Sequence, residues 1–240
     1  LLLSSTTRIG VENPCFREAI NTFLLADAEV VPHPVDEEGI VLNERPCDYY
    51  YVTPGHQVPT GVTMSSARRR QLLEHAARHD AVIIEDDYDS ESNFTLNPLP
   101  ALKASDRSGR VVYVSSLSKA LSPGLRLGFM VADPDLIDEA RALRRLVYRH
   151  PPTNIQYQMA HFLAQGHYET HLRRYHYDSA QRWERLHAAL QRYLPSCRAL
   201  AGSEHANAFW LQTPAQINTQ QLTWRAAHAG VLIEPGARHF

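Results

Sequence analysis

Short apolar runs alternate with helical stretches through the first two-thirds of the chain, and no other feature restricts the fold as much. Arg8–Glu12, Ala28–Pro32, Asp48–Thr53, Ala81–Glu85 and Val111–Ser115 each have the length and apolar character of a strand. Phe16–Leu25, preceded by Asn13-Pro14, and Ser65–His79, with Ser65 or Ser66 placed to cap it, read as helices between them. This βα alternation predicts an α/β fold built on a mostly parallel sheet. One connection breaks the rule. Parallel neighbours need about a dozen or more connecting residues, and the stretch from Ser115 to Arg126 has no room for a crossover helix. Leu127–Val131 is therefore expected to run antiparallel to the rest.

Past Pro134 the pattern turns helical. Leu136–Tyr148, Ile155–Gln165 and a long stretch from about Tyr168 to Tyr193 are expected helices. Ala208–Leu211 as a strand, Thr219–Ala229 as a helix and Val231–Ile233 as a strand follow, a second and smaller α+β unit hung on the long helix. The chain opens on Leu1-Leu2-Leu3 and closes just after an expected strand, so both ends read as cuts.

Composition narrows the functional classes. With 240 residues, 21% charged and a net charge of -2, the chain is neither a disordered segment nor a polybasic nucleic-acid module. No apolar run reaches the roughly 18–20 residues of a membrane span. The three cysteines form no C-x-x-C, which points away from zinc and disulfides and towards a reducing, cytoplasmic setting. Only two residues, Lys103 and Lys119, are lysines, so amine chemistry has two candidates.

Two segments carry groups that fit chemistry. In Val82-Ile83-Ile84-Glu85-Asp86-Asp87-Tyr88-Asp89 four carboxylates and a phenol stand where a strand leaves the sheet, the end at which open α/β sheets bind ligands. A magnesium or calcium site and a solvated acidic loop fit these residues equally well. The second, Ser115-Ser116-Leu117-Ser118-Lys119-Ala120-Leu121-Ser122-Pro123-Gly124-Leu125-Arg126-Leu127-Gly128, sets an amine among hydroxyls, with an arginine seven residues on. An amine desolvated beside a cation is a Schiff-base nucleophile. Lys103, in a loop after Pro100-Ala101-Leu102, reads as a surface residue. The two segments complement each other: a lysine holding pyridoxal phosphate needs a carboxylate at the ring nitrogen, a donor to the ring oxygen, and hydroxyls with an arginine for the phosphate.

Ile84-Glu85-Asp86-Asp87-Tyr88-Asp89-Ser90-Glu91, with Ser118-Lys119 and Arg126-Leu127-Gly128 downstream, resembles fold-type-I aminotransferases. Val11-Glu12-Asn13-Pro14, Val35-Asp36-Glu37-Glu38-Gly39 and above all Tyr51-Val52-Thr53-Pro54-Gly55-His56-Gln57-Val58-Pro59-Thr60-Gly61 make it most similar to the C-terminal domain of MocR/GabR-type transcriptional regulators. The resemblance implies that Lys119 forms an aldimine with pyridoxal 5'-phosphate. It implies that Asp86 pairs with the ring nitrogen and Tyr88 with the ring oxygen, and that Ser116, Ser118 and Arg126 hold the phosphate. His56 falls in the turn beside the ring. Residues 1–165 would be the large cofactor-binding domain lacking its N-terminal part, and residues 166–240 a connecting helix with a partial small domain. A Gly/Ser-Gln phosphate turn and a DNA-binding winged helix are expected before Leu1, and a substrate-carboxylate arginine beyond Phe240, with Arg238 a weak substitute.

Two functions share these residues. One is the effector-sensing domain of a regulator that takes an amine or amino acid, works as a homodimer and reaches DNA through a domain outside this chain. The other is a class I/II aminotransferase acting on amino acids and 2-oxo acids. No membrane or metal role is expected. His75 with His79, His167 with His171, and Arg68-Arg69-Arg70 have the spacing of solvated or ion-paired helix faces, while Trp183 and Trp210 read as packing residues.

Overall fold

The computed structural model describes residues 2–43, 45–89, 91, 99–199 and 208–240. Among the described residues seven strands form one sheet, and their β-branched and aromatic content suits a buried, pleated surface. They are β1 (Arg8–Asn13), β2 (Glu29–Asp36), β3 (Gly39–Ile40), β4 (Tyr49–Val52), β5 (Val82–Asp87), β6 (Val111–Ser116) and β7 (Gly128–Val131). Their order is β3-β2-β1-β4-β5-β6-β7. Pairing is parallel from β2 through β1, β4 and β5 to β6. β7 runs antiparallel to β6, as the short connection requires, with Ser116 opposite Gly128. β3 is a two-residue antiparallel return on β2, too short to leave a periodic signal. The chain moves outward from β1 to β2 and then returns to lay β4 on the other side of β1. That reversal is the topological switch point beside which open α/β sheets bind ligands.

Helices cover both faces. α1 (Arg17–Leu25) buries Ala19 and Phe23 against Ile9, Val11, Tyr51 and Cys15. On the other face α2 (Ser66–Arg78) and the single turn α3 (Leu102–Ser105) close over Tyr50, Val52, Met64, Ile83 and Val111. The Ser65 hydroxyl caps α2 by accepting from the Arg68 amide at 3.1 Å. The expected solvated face of α2 is only partly so. His75 is buried, with Nε2 2.7 Å from the Tyr50 hydroxyl. Arg69 is buried too, donating to the carbonyls of Met64, Pro54 and Pro100. Both side chains answer backbone and side-chain groups distant in sequence, which helical spacing does not report.

Beyond β7 the chain is helical: α4 (Pro134–Tyr148), α5 (Thr153–Ala164), the 27-residue α6 (His167–Tyr193) and α7 (Thr219–His228). β8 (Arg198–Ala199) and β9 (Leu211–Gln212) make a separate antiparallel pair, so the strand expected at Ala208–Leu211 survives only at its end. Val231–Ile233 forms no strand. Its three side chains are exposed and its backbone joins no ladder among the described residues, so apolar composition alone does not hold it extended. No helix among the described residues is long and apolar enough to cross a membrane.

Candidate active site

The candidate site is built on the carboxyl ends of β5 and β6. Alternation along β5 sends Asp86 and Asp87 to opposite faces. Asp86 joins the α1 face, where it accepts from the Tyr51 hydroxyl at 2.5 Å. Asp87 accepts from the Tyr113 hydroxyl at 2.8 Å, and its carbonyl accepts from the Ser115 hydroxyl at 2.7 Å. The two carboxylates therefore do not share a site, and among the described residues no three His, Cys, Asp or Glu side chains are grouped to hold a metal ion. Burial holds both above the usual carboxylate range, opposed at Asp86 by the Tyr51 donor. Burial, and then the neighbouring Asp89 and Asp86, push the Tyr88 phenol far up, so it stays protonated.

Lys119 lies in the loop after β6, with Nζ 5.6 Å from the centre of the Tyr88 ring, within cation–π range. The loop is closed on itself: Leu117 donates to Leu127 O and Leu121 to Leu117 O, and the Ser122 hydroxyl accepts from Gly124 N. Arg126 ends it in a left-handed conformation, φ 48°. Gly128 follows because a Cβ there would stand 2.8 Å from the Ser115 carbonyl. From α6, His171 Nε2 sits 2.6 Å from Ala120 O, so this histidine fastens the lysine loop instead of facing solvent. Lys119 itself is exposed, not desolvated as its small-residue turn suggests. Ser116 and Ser118 are half-buried and Arg126 is exposed.

Lys103 is no free surface group. Its Nζ donates to Val111 O at 2.7 Å and lies 3.4 Å from Asp106, which ties α3 to β6. His56 is buried with Nδ1 3.3 Å from Asp89, and its Nε2 has no partner among the described residues. Arg238 is exposed and lies 4.0 Å from Glu234.

Two neighbours of Asp86 escaped the sequence reading. Phe16, directly after Asn13-Pro14-Cys15, shares with Phe23, Tyr51, Ile84 and Asp86 a cavity of about 310 Å³. The chain's end returns here, because Cys15 N donates to His239 O at 2.9 Å and Arg17 reaches Phe240 O. Glu12, at the end of β1, is fully buried: Oε2 accepts from Thr53 N, Thr53 Oγ1 and Gln57 Nε2 at 3.2, 2.7 and 3.3 Å, while Oε1 has no partner among the described residues. The signal for Glu12 is a carboxylate ending an otherwise apolar strand.

Residues 51–235 match the family model for class I and II aminotransferases. The chain belongs to that family. It is 38% identical to the HTH-type transcriptional regulator TauR of Rhodobacter capsulatus, over 100% of this chain and 50% of TauR. It is 36% identical to the probable rhizopine catabolism regulatory protein MocR of Rhizobium meliloti, over 96% of this chain and 47% of that protein. The chain thus spans about half the length of these curated relatives. Among solved structures it superposes on Pyrococcus horikoshii kynurenine aminotransferase with a TM-score of 0.90 at 26% identity, covering 99% of this chain and 62% of that one. The fold is that of fold-type-I aminotransferases, and the cofactor that comes with the family is pyridoxal phosphate. The groups present suit it. A buried carboxylate with a single donor, a phenol kept protonated, one amine above that phenol, and two hydroxyls with a guanidinium match the charges of a pyridine ring, its oxygen, its carbonyl and its phosphate.

Proposed function

We propose that this chain is the pyridoxal-phosphate-binding effector domain of a MocR/GabR-type transcriptional regulator, cytoplasmic and homodimeric, sensing an amine or amino acid and reaching DNA through a domain outside these residues. The observation that carries the reading is the juxtaposition of Lys119 Nζ with the Tyr88 ring beside the buried Asp86, in a chain whose relatives at 36–38% identity are regulators. Pyridoxal phosphate, when bound, supplies a carbonyl that condenses with amines and a ring that accepts an electron pair. Lys119 is the amine that tethers it. Asp86, steered by Tyr51, holds a proton at the ring nitrogen, and Tyr88 donates to the ring oxygen. Ser116, Ser118 and Arg126 bind the phosphate, the arginine by paired N–H donors. His56, in the turn after β4, orients the segment after Tyr88 through Asp89. The large domain ends near residue 165, and α6 links it to the smaller unit.

Lys119→Ala is expected to abolish the visible absorbance of the cofactor-loaded protein, and Lys103→Ala to leave it. A band that survives Lys119→Ala sinks the assignment. The likeness to the kynurenine aminotransferase supports a second reading, a working aminotransferase. Incubation with amino acids and a 2-oxo acid separates them: a sensor changes its spectrum on binding an amine, and sustained 2-oxo acid exchange overturns the regulator reading.

A further inference from the structure

We propose that Glu12 is a positioning residue of the cofactor site, fixing the turn after β4 and, once ionised, supplying a second negative charge behind Asp86. The inference rests on the reading that the Asp86 face holds pyridoxal phosphate.

Geometry comes first. Glu12 is next to last in β1 and Thr53 directly follows β4, the two strands that flank the switch point of the sheet. Through Oε2 the carboxyl gathers Thr53 and Gln57. Gln57 in turn donates to Pro14 O and accepts from Thr60 N and Oγ1, while Thr53 Oγ1 accepts from Val58 N. One buried side chain thereby links the Asn13–Cys15 turn before Phe16 to the whole of Thr53–Thr60. All the side chains in this network are at least 97% buried. An apolar residue of the same size would leave the Thr53 amide and hydroxyl without this acceptor, while Gln57 would keep Pro14 O.

Charge comes second. The leading ionisable groups that act on Glu12, or on which it acts, among the described residues are Cys15, Tyr51, Asp86 and Tyr88, and none of these four is a cation. Burial raises its pKa to about 7, against the pull of Thr53 and Gln57. With all three donors on Oε2, the proton belongs on the unpartnered Oε1. Below about pH 7 Glu12 therefore carries a proton and is neutral beside Asp86. As the pH rises Glu12 ionises, and its charge strengthens the hold on any proton carried at Asp86.

The test is the pH profile of the visible band of the cofactor-loaded protein. Glu12→Gln keeps the acceptor for Thr53 but stays neutral, so the band's midpoint is expected to move down by about half a pH unit or more. Thr53→Val removes one donor from Oε2, keeps Glu12 protonated to higher pH, and should move the midpoint the same way by less. Glu12→Ala should also weaken cofactor binding about tenfold or more, since a buried network is broken. A scaffold residue that only supported the turn would leave the midpoint alone. If wild type shows the band and both Glu12→Gln and Thr53→Val titrate with it, the role of Glu12 is overturned and the cofactor reading stands. If wild type binds pyridoxal phosphate without a visible band, the cofactor reading itself falls, and this inference falls with it.

Discussion

The sheet from β1 to β6 and the helices after β7 are built to different standards. In the first region Tyr50, Ile40, Leu72, Ile83 and Val111 are wholly excluded from solvent, and even Glu12, Glu85 and His33 are buried. In the second, α4, α6 and α7 bury no residue, α5 buries only Met159, and Leu146, Tyr148, Trp224 and Leu232 stand in solvent. The difference is not one of composition, because α4 carries Leu143, Leu146 and Val147 on an amphipathic helix. It is one of available partners. An apolar stripe gains its roughly 25 cal/mol per Å² only where a second surface removes it from water. The first region has two such surfaces, one on each sheet face; the second has α6 lying along the lysine loop through single polar contacts such as His171 to Ala120.

The largest expected effect tests this contrast directly. Leu72→Ala empties a site that is sealed by β4, β5 and α2, and should cost about 2–5 kcal/mol of stability in denaturant unfolding. Leu146→Ala, at 83% exposure, should change stability by no more than about 0.5 kcal/mol. Comparable losses at the two positions would show that α4 is covered in solution and that the second region is as closed as the first.

A middle-sized effect comes from the buried acids, all of which lie in the closed region. Glu12 ordinarily titrates near 4.5 and in the folded chain near 7. The folded state therefore keeps a proton that the unfolded state has released, and stability falls as the pH rises through that window. The size is about 3 kcal/mol at about 1.4 kcal/mol per unit. Burial lifts Glu85, Asp86 and Asp87 in the same direction and adds to the slope. Glu12→Gln should thus gain on wild type by roughly 2–3 kcal/mol between pH 5 and pH 8, read from urea midpoints. A difference that stays constant over that range would mean Glu12 is not held protonated by the fold.

The same contrast explains what the sequence disclosed. Local patterns found the strands β1, β4, β5 and β6, the Ser65 cap and the antiparallel β7, because these depend on periodicity, capping and connection length. The nearness of Lys119 to Tyr88 was legible because two short motifs sit at adjacent strand ends. What stayed hidden depends on contacts distant along the chain. Arg69 looks like one of three surface arginines until Pro54, Met64 and Pro100 bring their carbonyls to it. Glu12 looks like a polar strand terminus until Thr53 and Gln57, 41 and 45 residues on, enclose it. Val231–Ile233 failed the other way: an apolar run needs a neighbouring strand, and a sequence window does not say whether one is there.

The smallest expected effect separates cooperativity from mere burial. Ser65 and Asn218 cap α2 and α7 in the same manner, each accepting from the amide three residues on, at 3.1 and 3.0 Å. Removing such a cap costs about 1 kcal/mol of helix stability. In α2, which buries Leu72 and Ala76 in the sheet's core, the helix cannot open alone, so Ser65→Ala should lower the global unfolding free energy by that amount. α7 buries nothing, so it opens without the sheet, and Asn218→Ala should leave the denaturant midpoint in place. Its cost should appear instead as about fivefold faster amide exchange at Ala226 and Ala227, which donate within the helix. Equal shifts of the global midpoint would mean that α7 unfolds together with the sheet, and that the two regions differ in packing while sharing one cooperative transition.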